Sequence, residues 1–185
     1  MKKLVSLAGA LILLFLTSCG ELMDWEYSGT DRYENDRVNI AHASEFMPAP
    51  SELKGMIDMK YTFRHASTGG TGFSEGMALF VKYNTDTFGE GKSAVDEKYE
   101  ELTEEDVSHP SLPFAEFHFR GYDMKIVPLA SGDGSAHYFG ILGFNYDKNK
   151  ICFLFYSNDR ADFSEYDSDP GEMYTELVKD SFVWS

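Results

Sequence analysis

The run Ile151-Cys152-Phe153-Leu154-Phe155-Tyr156 has six consecutive apolar or aromatic side chains, bounded by Asp147-Lys148-Asn149-Lys150 before it and Ser157 after it. A short run of this kind is expected as a central strand, buried on both sides. The segments around it carry the alternating pattern of half-buried strands. Ile57, Met59, Tyr61 and Phe63 alternate with Asp58, Lys60, Thr62 and Arg64, and residues 77–84 repeat the pattern with Leu79, Val81 and Tyr83 on one side. A Gly/Ser/Thr-rich stretch, 65–76, suits the connection between these two strands. Residues 114–120 and 123–129 form a further pair turning at Gly121-Tyr122. Residues 136–146, entered through Ser131-Gly132-Asp133-Gly134, form a hairpin with 151–157.

Two helices complete the pattern. Ser93 is a cap candidate with Asp96 three residues on, and Val95, Tyr99 and Leu102 give an apolar stripe that Pro110 and Pro113 bound. Asp169-Pro170-Gly171-Glu172 has a capping residue, a proline at the first helical position and an acid in the first turn, ahead of Met173, Tyr174, Leu177 and Val178. The order implies an α+β domain over residues 51–185, a mostly antiparallel sheet of about six strands with two helices on one face. A lipocalin-like β-barrel with a terminal helix is the alternative. Residues 19–50, acidic, rich in Tyr, Ser and Asp and ending in Met47-Pro48-Ala49-Pro50, are expected to be a tether, or to supply one edge strand over 38–43.

The N-terminus has its own logic. Lys2 and Lys3 precede thirteen uncharged residues, 4–16. That is too short to cross a bilayer, which takes about 20 apolar residues, and suits a signal peptide. The run ends at Leu16-Thr17-Ser18-Cys19, which resembles the lipobox of bacterial lipoproteins. The resemblance implies that residues 1–18 are a signal peptide, that Cys19 is acylated with lipid such as palmitate, and that the domain sits outside the cytoplasm on a membrane. Gly20 after the cysteine resembles the pattern of lipoproteins sorted to the cell outer membrane. Several acyl chains hold a protein stably, because each buried methylene contributes about 0.8 kcal/mol.

Without residues 1–18, 14 basic residues remain against 31 acidic ones, a net charge of −17. Such a field excludes nucleic acid and favours cationic partners. With Cys19 lipidated, Cys152 has no partner for a disulfide, and its apolar neighbours mark it as a core thiol.

Motifs of chemistry are weak. Gly72-Phe73-Ser74-Glu75-Gly76 has the letters of a nucleophile elbow, but a strand rather than a helix follows it, so a hydrolase on Ser74 is not expected. Gly69-Gly70-Thr71-Gly72 lacks the ending of a phosphate-binding loop, and His42, His65, His109, His118 and His137 lack zinc spacing. Glu116, His118 and Arg120 share one face of a strand, a pattern most often solvated. Asp159, Asp162, Asp167 and Asp169 are weak calcium candidates that match no EF-hand spacing. Glu97, Glu100, Glu101, Glu104 and Glu105 form a possible acidic partner surface. No acid, base and nucleophile constellation stands out and no cofactor is expected. The expected class is a non-enzymatic binding or accessory lipoprotein with a glycan or protein ligand. The alternative is an acidic immunity or inhibitor protein covering a basic toxin or a lysozyme-like enzyme.

Overall fold

The computed structural model describes residues 25–65, 75–99, 113–129, 138–157, 169–182 and 184. Its strands are β1 (Trp25–Ser28), β2 (Met56–His65), β3 (Glu75–Tyr83), β4 (Glu116–Phe119), β5 (Tyr122–Pro128), β6 (Tyr138–Asn145) and β7 (Lys150–Ser157). Its helices are α1 (Thr30–Asn39), α2 (Ala43–Phe46), α3 (Thr85–Tyr99) and α4 (Pro170–Ser181). The strands form one open antiparallel sheet in the order β1-β2-β3-β7-β6-β5-β4, not closed into a barrel. The class is α+β, as the sequence implies.

Strand β7 holds the middle of that order, and every residue from Ile151 to Ser157 is buried. Its side chains divide between two cores. Ile151, Phe153 and Phe155 face one with Met77, Leu79 and Val81 of β3, whereas Cys152, Leu154 and Tyr156 face the other with Ala78, Ile126 and Ile141. A strand apolar on both faces needs cover on both, and the helices divide accordingly. Val95 and Tyr99 of α3 belong to the first core; Met173, Tyr174, Leu177 and Val178 of α4 belong to the second. The expectation of two helices on one face is therefore corrected.

The second correction concerns residues 19–50, of which 25–50 are described and are no tether. Strand β1 pairs with β2, Trp25 opposite His65 and Ser28 opposite Thr62, and forms the sheet edge. Val38, in the segment considered for that edge, lies on α1 and is 57% exposed. Tyr33, Phe46 and Met47 are completely buried in the first core. The Tyr33 hydroxyl donates to the Pro48 carbonyl at 2.6 Å, Tyr61 donates to the buried Asp36 carboxylate at 2.8 Å, and Tyr99 donates to the Phe46 carbonyl. Burial pushes the Tyr33 and Tyr99 hydroxyls well above their ordinary pKa, so both remain protonated donors. Periodicity missed this segment because its burial rests on a few large side chains spread over two short helices.

Phe46 packs onto β6 at Gly140. A Cβ on Gly140 would come within 2.5 Å of its ring, so β6 carries a glycine there and the ring settles between Tyr99 and Phe153, centroids 5.5 and 6.1 Å away. Gly91 plays the same part under α3, where a Cβ would meet the Tyr83 ring at 2.5 Å. The helix thus runs through Ser93, the expected start, from Thr85. Asp169 caps α4 as expected, accepting from the N–H groups of Gly171 and Glu172 at 2.8 and 3.3 Å. The β4–β5 turn is Arg120-Gly121, both with positive φ, the geometry of a two-residue hairpin loop.

Two predictions follow from this packing. Phe46→Ala, which empties a fully buried site between two layers, is expected to cost about 3–5 kcal/mol of unfolding free energy in a denaturant titration. A chain truncated to start at Ser51 should lose its cooperative transition, and retention of full stability would remove residues 25–50 from the fold.

Glu52 supplies a pH signature. Burial opposes its charge, but the Ala49 N–H at 2.8 Å, the Lys98 ammonium at 3.1 Å and Arg37 outweigh that effect and hold its pKa below the ordinary value. A depressed carboxylate stabilises the fold above its unfolded pKa and loses that contribution as pH falls through the folded one. Glu52→Gln is therefore expected to lower the melting temperature slightly at pH 7. The difference from the unsubstituted chain should close well below the ordinary pKa of 4.5; because the group is largely exposed, the loss stays under about 1 kcal/mol.

Candidate functional site

The edge hairpin β4–β5 faces α3, the helix that covers the first core, across a groove. Phe117 and Phe119 turn toward the second core, so Glu116 and His118 face the other way. The hairpin register sets Glu116 opposite Lys125 and His118 opposite Asp123, and Asp123 in turn opposite Phe144 of β6. No apolar stripe exists on this part of the first face to receive a helix. A groove of about 560 Å³ remains, with these four polar side chains, Lys92 and Asp96 of α3, Phe144 and Tyr146 among its lining.

Charges of both signs meet in it. Lys92 and Asp96 lie one helical turn apart and are ion-paired, and the Lys92 ammonium also sits 5.1 Å from the centre of the Phe144 ring. The His118 Nδ1 is 2.9 Å from an Asp123 carboxylate oxygen. With the two side chains 67% and 66% exposed, solvent screens this pair and its net contribution is small. Tyr146 is 51% exposed at the rim and meets Phe88 edge-on, centroids 6.0 Å apart. The arrangement offers donors and acceptors at short intervals beside an exposed aromatic ring.

Of the side chains singled out in the sequence, Glu116 and His118 are brought into the groove. Arg120 is not: it sits in the turn with its guanidinium 5.6 Å from the centre of the Phe119 ring. Glu97 is exposed on α3. Cys19, Ser74, Glu100, Glu101, Glu104, Glu105, Asp159, Asp162 and Asp167 lie outside the described residues. Asp169 uses one carboxylate oxygen to cap α4. Among the described residues no group of three or more His, Cys, Asp or Glu side chains is placed to hold a metal ion. Cys152 is fully buried, and burial pushes its thiol well above the ordinary pKa.

Lys92, Asp96, Asp123, Lys125 and Tyr146 escaped the sequence reading. For the hairpin the signal was present: polar residues at period two on both strands, in register about a two-residue turn. Nothing local tied α3 to it. No family model, curated protein or solved structure matches this chain.

The exposure of the His118 and Asp123 pair gives a direct check. Asp123→Asn is expected to change unfolding free energy by less than about 1 kcal/mol in denaturant titrations at pH 6. A loss of several kcal/mol would make the pair part of the scaffold.

Proposed function

We propose that this chain is a lipoprotein anchored through Cys19 on the outer membrane of a cell envelope, and that it binds a hydroxyl-rich ligand of the glycan class in the β4–β5 groove without catalysing its conversion. One observation carries the ligand: Glu116, His118, Asp123 and Lys125 alternate as acceptors and donors on the floor beside the exposed Tyr146 ring. A sugar offers matching features, hydroxyls that both donate and accept and a C–H face that stacks on an aromatic ring. Mixed charge in the groove supports this over the inhibitor reading, which requires a surface of one sign facing a basic protein.

Two measurements separate anchor from ligand. Cys19→Ala is expected to abolish labelling by a fatty-acid analogue and to leave the uncleaved chain in the cell; normal labelling and maturation would end the lipoprotein reading. Titration of the detergent-solubilised chain with neutral oligosaccharides should give saturable binding that Tyr146→Ala weakens about tenfold or more, the effect expected of losing a stacking contact. Unchanged affinity in that variant would place the ligand elsewhere. Absence of any saccharide binding, with tight salt-sensitive binding of lysozyme instead, would favour the inhibitor.

A further inference from the structure

The opposite face of the sheet carries a charge pattern that the composition does not lead one to expect. Acidic residues outnumber basic ones 31 to 16, so a lysine placed without constraint has carboxylates around it. Lys82 instead stands directly opposite Lys150 across the β3–β7 ladder. Lys60 lies diagonally from Lys82, opposite Phe80 on β2, and Lys148 lies in the turn before β7, its N–H donating to the buried Asn145 side chain at 3.0 Å. Lys60, Lys82 and Lys148 are exposed and Lys150 is half-buried. Asp58, opposite Lys82, is an acidic neighbour.

Like charges directly opposite one another on a sheet destabilise it. Here the repulsion is concentrated at Lys150: burial first, then Lys148, Lys60 and Lys82, hold its pKa below the ordinary value against the pull of Asp58. Its charge costs the free protein stability at neutral pH, and solubility alone gives no reason for the cluster. Beyond about 8 Å at physiological salt the net negative field is screened, so a ligand touching this face meets the lysines first.

We infer that Lys60, Lys82, Lys148 and Lys150 form a docking surface for an anionic polysaccharide, separate from the groove on the other face. Lys60, Lys82 and Lys150 stand on the adjacent strands β2, β3 and β7, neighbouring strands being about 4.8 Å apart in the pairing direction. They are spread along a sheet face rather than gathered about one point, which fits an extended polyanion better than a single small ion. Strands β3 and β7 have a paired neighbour on each side, so a peptide cannot add to them as a strand, whereas β1 pairs with β2 only along residues 62–65. Beside the row, Trp184 packs edge-on against Phe80 and Phe119, both centroids 5.1 Å away, a half-buried aromatic shelf against which sugar rings can lie.

The test uses the full chain in non-ionic detergent and fluorescent low-molecular-weight heparin as the probe. Binding at low salt is expected, weakening steeply as salt rises. Lys60→Gln with Lys82→Gln and Lys150→Gln should weaken it at least about tenfold, and should raise the melting temperature by removing repulsion. Lys54→Gln with Lys98→Gln and Lys179→Gln makes the same change in net charge elsewhere and should alter affinity less than about twofold. Equal losses in the two variants, or no heparin binding at all, would overturn the proposal. So would a response confined to vesicles of anionic phospholipid, which would make the row a membrane contact. Groove variants such as Tyr146→Ala should leave heparin binding unchanged, so this surface stands or falls apart from the groove.

Discussion

The contact on which most of the first face depends is the seating of Phe46 over Gly140. It brings a segment from ahead of the sheet strands β2–β7 down onto β6 and β7, and the Tyr99 hydroxyl then closes over the Phe46 backbone, tying α3 to the same point. The constraint is mutual. Any side chain at 140 would push the ring out, and without the ring a void would open beside Tyr99 and Phe153. Tyr33, Asp36 and Tyr61 extend the same closure toward the β1 edge through buried hydrogen bonds.

Where that cover stops determines where ligands could reach the sheet. On the first face, among the described residues, α3 reaches the β4–β5 hairpin only across the groove, and the hairpin positions that face it are polar on both strands. On the second face, among the described residues, α4 and Trp184 pack over the sheet up to the aromatic cluster around Phe80, and the row beyond it is Asp58, Lys82, Lys150 and Asn145. Both openings arise because the apolar alternation of the strands ends before the strands do. Burial and access are thus written by the same period-two pattern.

Legibility in the sequence followed this pattern closely. The six strands β2–β7 were readable because each has an alternating or wholly apolar run, and α4 because Asp169, Pro170 and four spaced apolar residues all agree. The two-sided cover was missed, both helices being expected on one face, although a central strand apolar on both faces needs cover on both. Residues 25–50 were opaque for a physical reason. Their few anchors, Tyr33, Phe46 and Met47, sit in an otherwise polar segment, and the glycine that makes room for Phe46 is about a hundred residues away. The groove was half legible, since period two gave Glu116 and His118, but Lys92 and Asp96 come from another element. The lysine row was invisible without the register, because Lys60, Lys82 and Lys150 are far apart in the chain and share a face only through two strand ladders.

The incorporation of residues 25–28 into the sheet also changes what the proposed anchor would do. A tether of thirty residues would let the domain roam; with β1 beginning at Trp25, six residues past Cys19, the link spans at most about 20 Å when fully extended. Trp25 lies in the cross-strand row of His65, Glu75, Ser157 and Tyr138, whereas Lys82 and Lys150 lie in the row they form with Asp58 and Asn145. Seven residues of β3 separate the rows, about 23 Å along the strand. An anchor at Cys19 would therefore attach at the end of the sheet opposite the lysines, keep a strongly acidic domain close to the lipid surface, and present the lysine row on the side turned toward the surrounding envelope. The short link and the distant basic row together favour a polymer arriving from outside over the headgroups of the anchoring membrane.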